Sequence, residues 1–137
     1  MTTDDQPAPP PAPPTADDGA ISLGKLAADA LDDKKALHIT LLDVGDLLQI
    51  TEVFVLASGT SRRHVLTLGE AVADELREQV ERKPLRVEGA EEGDWVLLDF
   101  GDIVVHVFQE QPRDFYDLER LWGDAPRIPW TPKPPQD

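Results

Sequence analysis

Asp94-Trp95-Val96-Leu97-Leu98-Asp99-Phe100-Gly101-Asp102-Ile103-Val104-Val105-His106-Val107-Phe108 is the stretch from which the arrangement of the chain can be read. Two runs rich in β-branched and aromatic residues flank Gly101-Asp102, a glycine-first pair suited to a tight hairpin turn. Pairing Phe100 with Ile103 fixes the register. Asp99 then faces Val104, Leu98 faces Val105, Leu97 faces His106, Val96 faces Val107 and Trp95 faces Phe108. Side chains alternate across a strand, so two faces separate. One carries Val96, Leu98, Phe100, Ile103, Val105 and Val107, all apolar. The other carries Trp95, Leu97, Asp99, Val104, His106 and Phe108, which is too aromatic for an ordinary solvated face. Either another element of the fold covers it or a partner does.

Outside the hairpin, 137 residues with proline-heavy ends hold one small α/β domain. The chain has no cysteine, which excludes disulfides and thiolate metal sites and fits a reducing compartment. Neither a signal-peptide pattern nor an apolar run of membrane-spanning length is present, so a cytoplasmic protein is expected, without a membrane partner. A formal net charge of -14 argues against charge-driven binding to phosphate backbones and suits a basic partner.

Residues 1–20 form a proline-rich segment expected to stay disordered, because it has too little apolar surface to offset ordering. Ser22 is the expected cap of a first helix with Leu23, Leu26, Ala27, Ala30 and Leu31 as its apolar stripe. Leu37 to Asp43 reads as a strand. Val53-Phe54-Val55-Leu56-Ala57 lacks polar alternation, as a strand buried on both faces does. Thr60 or Ser61 caps a long helix over about 62–82, with Val65, Leu68, Val72, Leu76 and Val80 buried and Pro84 beyond its end. Pro84 to Val87 is a short strand, and Glu88 to Gly93 an acidic loop. A last helix, 113–123, has Asp114 as its cap and Phe115, Leu118 and Trp122 as its core stripe. Residues 127–137 read as a proline-rich tail that Trp130 is placed to pin.

Catalytic patterns are weak. There is no cysteine nucleophile, and no serine sits in a nucleophile elbow. His38, His64 and His106 fall on different elements without metal-ligand spacing. The turn Ser58-Gly59-Thr60-Ser61 before a helix could meet an anion, but plain capping is the simpler use. Nucleotidyltransferases also place Gly-Ser before a helix, yet they need two carboxylates at alternate positions of the next strand to share metal ions. Here Glu70, Asp74 and Glu75 are helical at that distance, and Asp99 and Asp102 flank a turn. No catalytic residue, metal or cofactor is expected.

Several motifs in order resemble the ribosomal silencing factors, also called Iojap-like proteins. They are Ile50-Thr51, Ala57-Ser58-Gly59-Thr60-Ser61-Arg62-Arg63-His64, Gly93 to Asp99, Gly101 to Phe108, and Arg113 to Trp122. The resemblance spans about 21–126. It implies an α/β, nucleotidyltransferase-like fold, a mixed β-sheet with flanking helices that lacks catalytic acids. It also implies binding to protein number fourteen of the large ribosomal subunit, obstruction of small-subunit joining and translational repression when nutrients are scarce. No sequence-specific nucleic-acid binding is implied. On the hairpin, alternation leaves Trp95, Leu97, Asp99 and His106 free for a partner, and Leu85 and Tyr116 extend that patch. Two other readings stay open: a nucleotide-using enzyme built on the Ser58–Ser61 turn, and a homodimer whose sheet faces cover each other.

Overall fold

The computed structural model describes residues 17–45, 51–110 and 125–132. Within the described residues lie helices α1 (Asp18–Asp33) and α2 (Arg62–Val80) and strands β1 (Leu37–Asp43), β2 (Val53–Gly59), β3 (Arg86–Glu88), β4 (Trp95–Asp99) and β5 (Ile103–Gln109). The strands form one five-stranded mixed sheet in the order β1-β2-β5-β4-β3. Only β2 and β5 run parallel; the other neighbours are antiparallel.

The hairpin has the expected register, residue for residue, from Trp95↔Phe108 to Asp99↔Val104. Phe100 N–H donates to the Ile103 carbonyl at 2.9 Å, closing the two-residue loop. Gly101 takes φ +95°, a conformation that costs a side-chain-bearing residue steric strain. The expected apolar face, Val96, Leu98, Phe100, Ile103, Val105 and Val107, is buried in the same core as the stripes of α1 and α2. Both helices therefore pack on one side of the sheet. All seven residues of β2 are buried, as the absence of polar alternation predicts for an inner strand covered on both faces.

Several boundaries differ from expectation, among them β3, which spans Arg86–Glu88 and not Pro84 to Val87. Helix α1 starts at Asp18 with Asp17 as its N-cap, not at Ser22. Acids suit the positive end of a helix, and Ala20 is fully buried in the core, so burial rewards the earlier start. Helix α2 ends at Val80, where Glu81 turns into the left-handed region with φ 56°, and Val80 is exposed. Ser61 is the α2 cap, its Oγ accepting from His64 N–H at 3.1 Å. At the other end of the chain, the segment expected to be a tail lies against β1. Asp43 N–H donates to the Pro126 carbonyl at 2.8 Å, Ile128 N–H donates to the Leu41 carbonyl at 2.9 Å, and Ile128 is buried. Trp130 Nε1–H donates to Asp29 Oδ1 at 3.0 Å, pinning this segment to α1 as expected. The expected helix over 113–123 and residues 1–16 lie outside the described residues.

Helix α2 grips the hairpin region at both ends with an arginine. Arg62 Nε donates to the Glu92 carbonyl at 3.1 Å in the loop before β4. Arg82, just past the helix, donates to the Phe100 carbonyl at 2.7 Å and pairs with Asp102 at 2.7 Å. Arg82→Met should therefore loosen the turn and cost about 1–2 kcal/mol, modest because both side chains remain partly solvated. Urea denaturation reads this directly, and a variant as stable as wild type would show that the clasp contributes nothing.

Candidate partner-binding face

The opposite face of the sheet is built in rows by strand pairing. One row runs Leu42, Phe54, Val104, Asp99, Arg86 across β1, β2, β5, β4 and β3. The next runs Thr40, Leu56, His106, Leu97, Glu88. Beyond it come Ser58, Phe108 and Trp95. Leu42, Phe54, Leu56, Val104 and Phe108 are buried together, with Trp95 and Leu97 half-buried against them. The face thus grades from an apolar centre on β2 and β5 to an accessible aromatic and aliphatic strip on β4, and then to charge on β3.

Of the residues expected to form the patch, Trp95, Leu97, Asp99 and His106 do share this face. Leu85 precedes β3 and is 76% exposed, but alternation groups it with Val87, the partner of core-facing Leu98, and not with Arg86 and Glu88 on this face. Tyr116 lies outside the described residues. His106 departs from the expectation that it faces a partner, because only 5% of it is exposed. It sits on the inner strand β5, in edge contact with Phe54 at a 4.7 Å centroid distance and beside Trp95 at 5.9 Å. Trp95 in turn leans on Phe108, centroids 5.0 Å apart. Placing Phe54 against His106 requires knowing that β2 pairs with β5, which hairpin alternation alone does not reveal.

Trp95 Nε1–H donates to His106 Nδ1 at 3.1 Å. An indole nitrogen can only donate, so Nδ1 is the unprotonated nitrogen and the imidazole proton sits on Nε2. Nε2 is buried and has no hydrogen-bond partner among the described residues. Burial disfavours the charged ring and lowers its pKa from 6.5 to about 4, so it is neutral near pH 7.

The acids near the turn are held by local structure. Asp99 Oδ1 accepts from Gly101 N–H at 2.8 Å, and its Oδ2 lies 3.4 Å from Arg86 Nη2. Asp102 is paired with Arg82. Arg86 and Glu88, which the sequence reading did not include, border the face and form an ion pair at 3.1 Å. Their placement follows from pairing with Asp99 and Leu97, and a three-residue strand carries too little periodicity to announce it. At the Ser58–Ser61 turn, His64 Nδ1 accepts from Thr60 N–H at 2.9 Å and Nε2 lies 2.8 Å from the Lys34 carbonyl. Ser61 caps His64 N–H as well, so this turn is braced by its own chain. Among the described residues no three or more His, Cys, Asp or Glu side chains gather as metal ligands. No described helix is long and apolar enough to cross a membrane.

Comparison with known proteins gives a consistent picture. The family described as "Ribosomal silencing factor during starvation" matches residues 17–137. The ribosomal silencing factor RsfS of Bacillus subtilis is 42% identical over 108 residues, covering 77% of this chain and 88% of that protein. The chloroplastic protein Iojap of Arabidopsis thaliana is 35% identical over 111 residues, covering 80% of this chain and 43% of that protein. A crystal structure of a Chromobacterium violaceum protein superposes with a TM-score of 0.73 at 37% identity, covering 85% of this chain and 90% of that one. Matched along the whole domain in sequence and in fold, the chain belongs to the ribosomal silencing factor family.

Proposed function

We propose that the protein is a translational repressor that binds protein number fourteen of the large ribosomal subunit, in the cytoplasm, and so blocks joining of the small subunit when nutrients are limiting. Family membership supports the ribosomal role. The observation that carries the binding mode is the strip on β4, where half-buried Trp95 and Leu97 sit beside Asp99 and are rimmed by Arg86 and Glu88. Productive interfaces combine an apolar, aromatic centre with a polar rim, and tryptophan is a frequent anchor. The chain's net charge of -14 suits a basic ribosomal surface and would act mainly by speeding encounter.

Co-sedimentation with purified large subunits tests this reading. Wild type is expected to pellet with the subunits. Trp95→Ala should lose about 2 kcal/mol or more of binding free energy, at least roughly 30-fold in affinity, while remaining folded. Undiminished binding by folded Trp95→Ala would remove the β4 strip from the interface.

A further inference from the structure

We propose that His106 is the positioning residue of this face: it never touches the partner, but by accepting the Trp95 indole N–H at Nδ1 it fixes the ring in the orientation a partner meets. The proposal rests on the partner-face reading above for its consequence, though not for its geometry.

Three observations carry it. First, the hydrogen bond at 3.1 Å runs between a half-buried ring and one that is 5% exposed, so the inner group sets the position of the outer one. Second, His106 is itself immobilised, packed edge-on to Phe54 and centred in a row between Leu56 and Leu97. Third, Nε2 is buried with no partner among the described residues. A buried donor without an acceptor is unfavourable, and an apolar ring of similar size would fill the same space without that penalty. The imidazole's distinctive contribution is thus its Nδ1 lone pair. Without it, the indole N–H would either be stranded at the half-buried margin or turn toward water, carrying the ring out of register with Leu97 and Asp99. Only the neutral ring can do this, because protonation converts Nδ1 from acceptor to donor.

The experiment uses the full chain, 15N-labelled, and purified large subunits. The indole signal of Trp95 is assigned by its loss in Trp95→Phe. In wild type we expect a coupling across the Trp95–His106 hydrogen bond, with His106 carrying its proton on Nε2. His106→Phe keeps a ring but no acceptor, and should move the Trp95 indole signal and weaken subunit binding about tenfold, the size of one hydrogen bond. His106→Asn places an amide oxygen on the atom that Nδ1 occupied and should recover most of that loss. A proton on Nδ1 in wild type would overturn the proposal, as would a His106→Phe variant that binds like wild type or a His106→Asn variant impaired as much as His106→Phe. Should wild type fail to bind subunits at all, the ribosomal reading falls, and the indole and imidazole signals still decide whether His106 holds Trp95. If His106→Phe does not fold, the wild-type signals and His106→Asn decide the matter.

Discussion

Leu98→Ala is expected to lower the unfolding free energy by about 2–5 kcal/mol, read as a drop in the urea midpoint at an unchanged denaturant slope. Leu98 is 2% exposed, pairs with Val105 and faces α2, where its Cδ1 lies 3.7 Å from the position a Cβ would take on Gly69. Truncation leaves a cavity between sheet and helix that neither rigid layer can close. For a domain whose total stability is of the usual ~5–15 kcal/mol, such a loss is large. Trp95, three residues earlier on β4 and on the other face, is half-buried, so Trp95→Ala should cost less stability and more binding. The two variants together separate the faces. A Trp95→Ala protein that melts well before Leu98→Ala would mean that the roles of the faces are reversed.

The second large effect is on acid stability. His106 titrates near 6.5 in the unfolded chain and, because burial disfavours its charged form, near 4 in the folded one. Between those values the unfolded state binds more protons, so stability falls as pH falls. Its contribution is complete above about 6.5, declines through the window and levels off below about 4. A shift of this size corresponds to about 3 kcal/mol. Relief of repulsion among the carboxylates of this acidic chain acts in the opposite direction on acidification, so the measurement is a difference. Stability against pH is recorded for wild type and for His106→Phe, in which the carboxylates are unchanged. Wild type should lose about 3 kcal/mol more between the two pH limits. Parallel curves would mean that His106 is hydrated in the native state.

The hairpin was legible in the sequence because a two-residue glycine-first loop leaves one register, and alternation then assigns every side chain to a face. Helix α2 was legible from Ser61 and its stripe, although stripe spacing gives a direction and not the point where packing stops, so Val80 is exposed. Strand order was not legible. The parallel pairing of β2 with β5 depends on tertiary packing, and it is this pairing that buries His106 against Phe54. Trp95, Leu97 and Asp99 could be grouped without it, whereas the burial of His106 could not be seen. The start of α1 was misplaced because serine is a strong local capping signal, while the burial of Ala20 is a long-range one. The pairing of the segment after Pro126 with β1 escapes a sequence reading for a different reason. Proline lacks an N–H and is read as a breaker, yet on the outermost position of a sheet it need only accept, as Pro126 does.

That outermost segment gives the sheet a direction of growth. Along β1, residues 41–43 are already paired with 126–128, and the remaining stretch is broken by a register irregularity between Leu37 and Thr40. Only β3 offers an unpaired ladder among the described strands. Polymerisation by strand addition requires each copy to present two complementary borders, one to receive and one to donate. A native sheet with a single usable border satisfies the second copy with the first and leaves nothing for a third. Copies joined through β3 would stop at a pair, because residues 126–128 already occupy the β1 border.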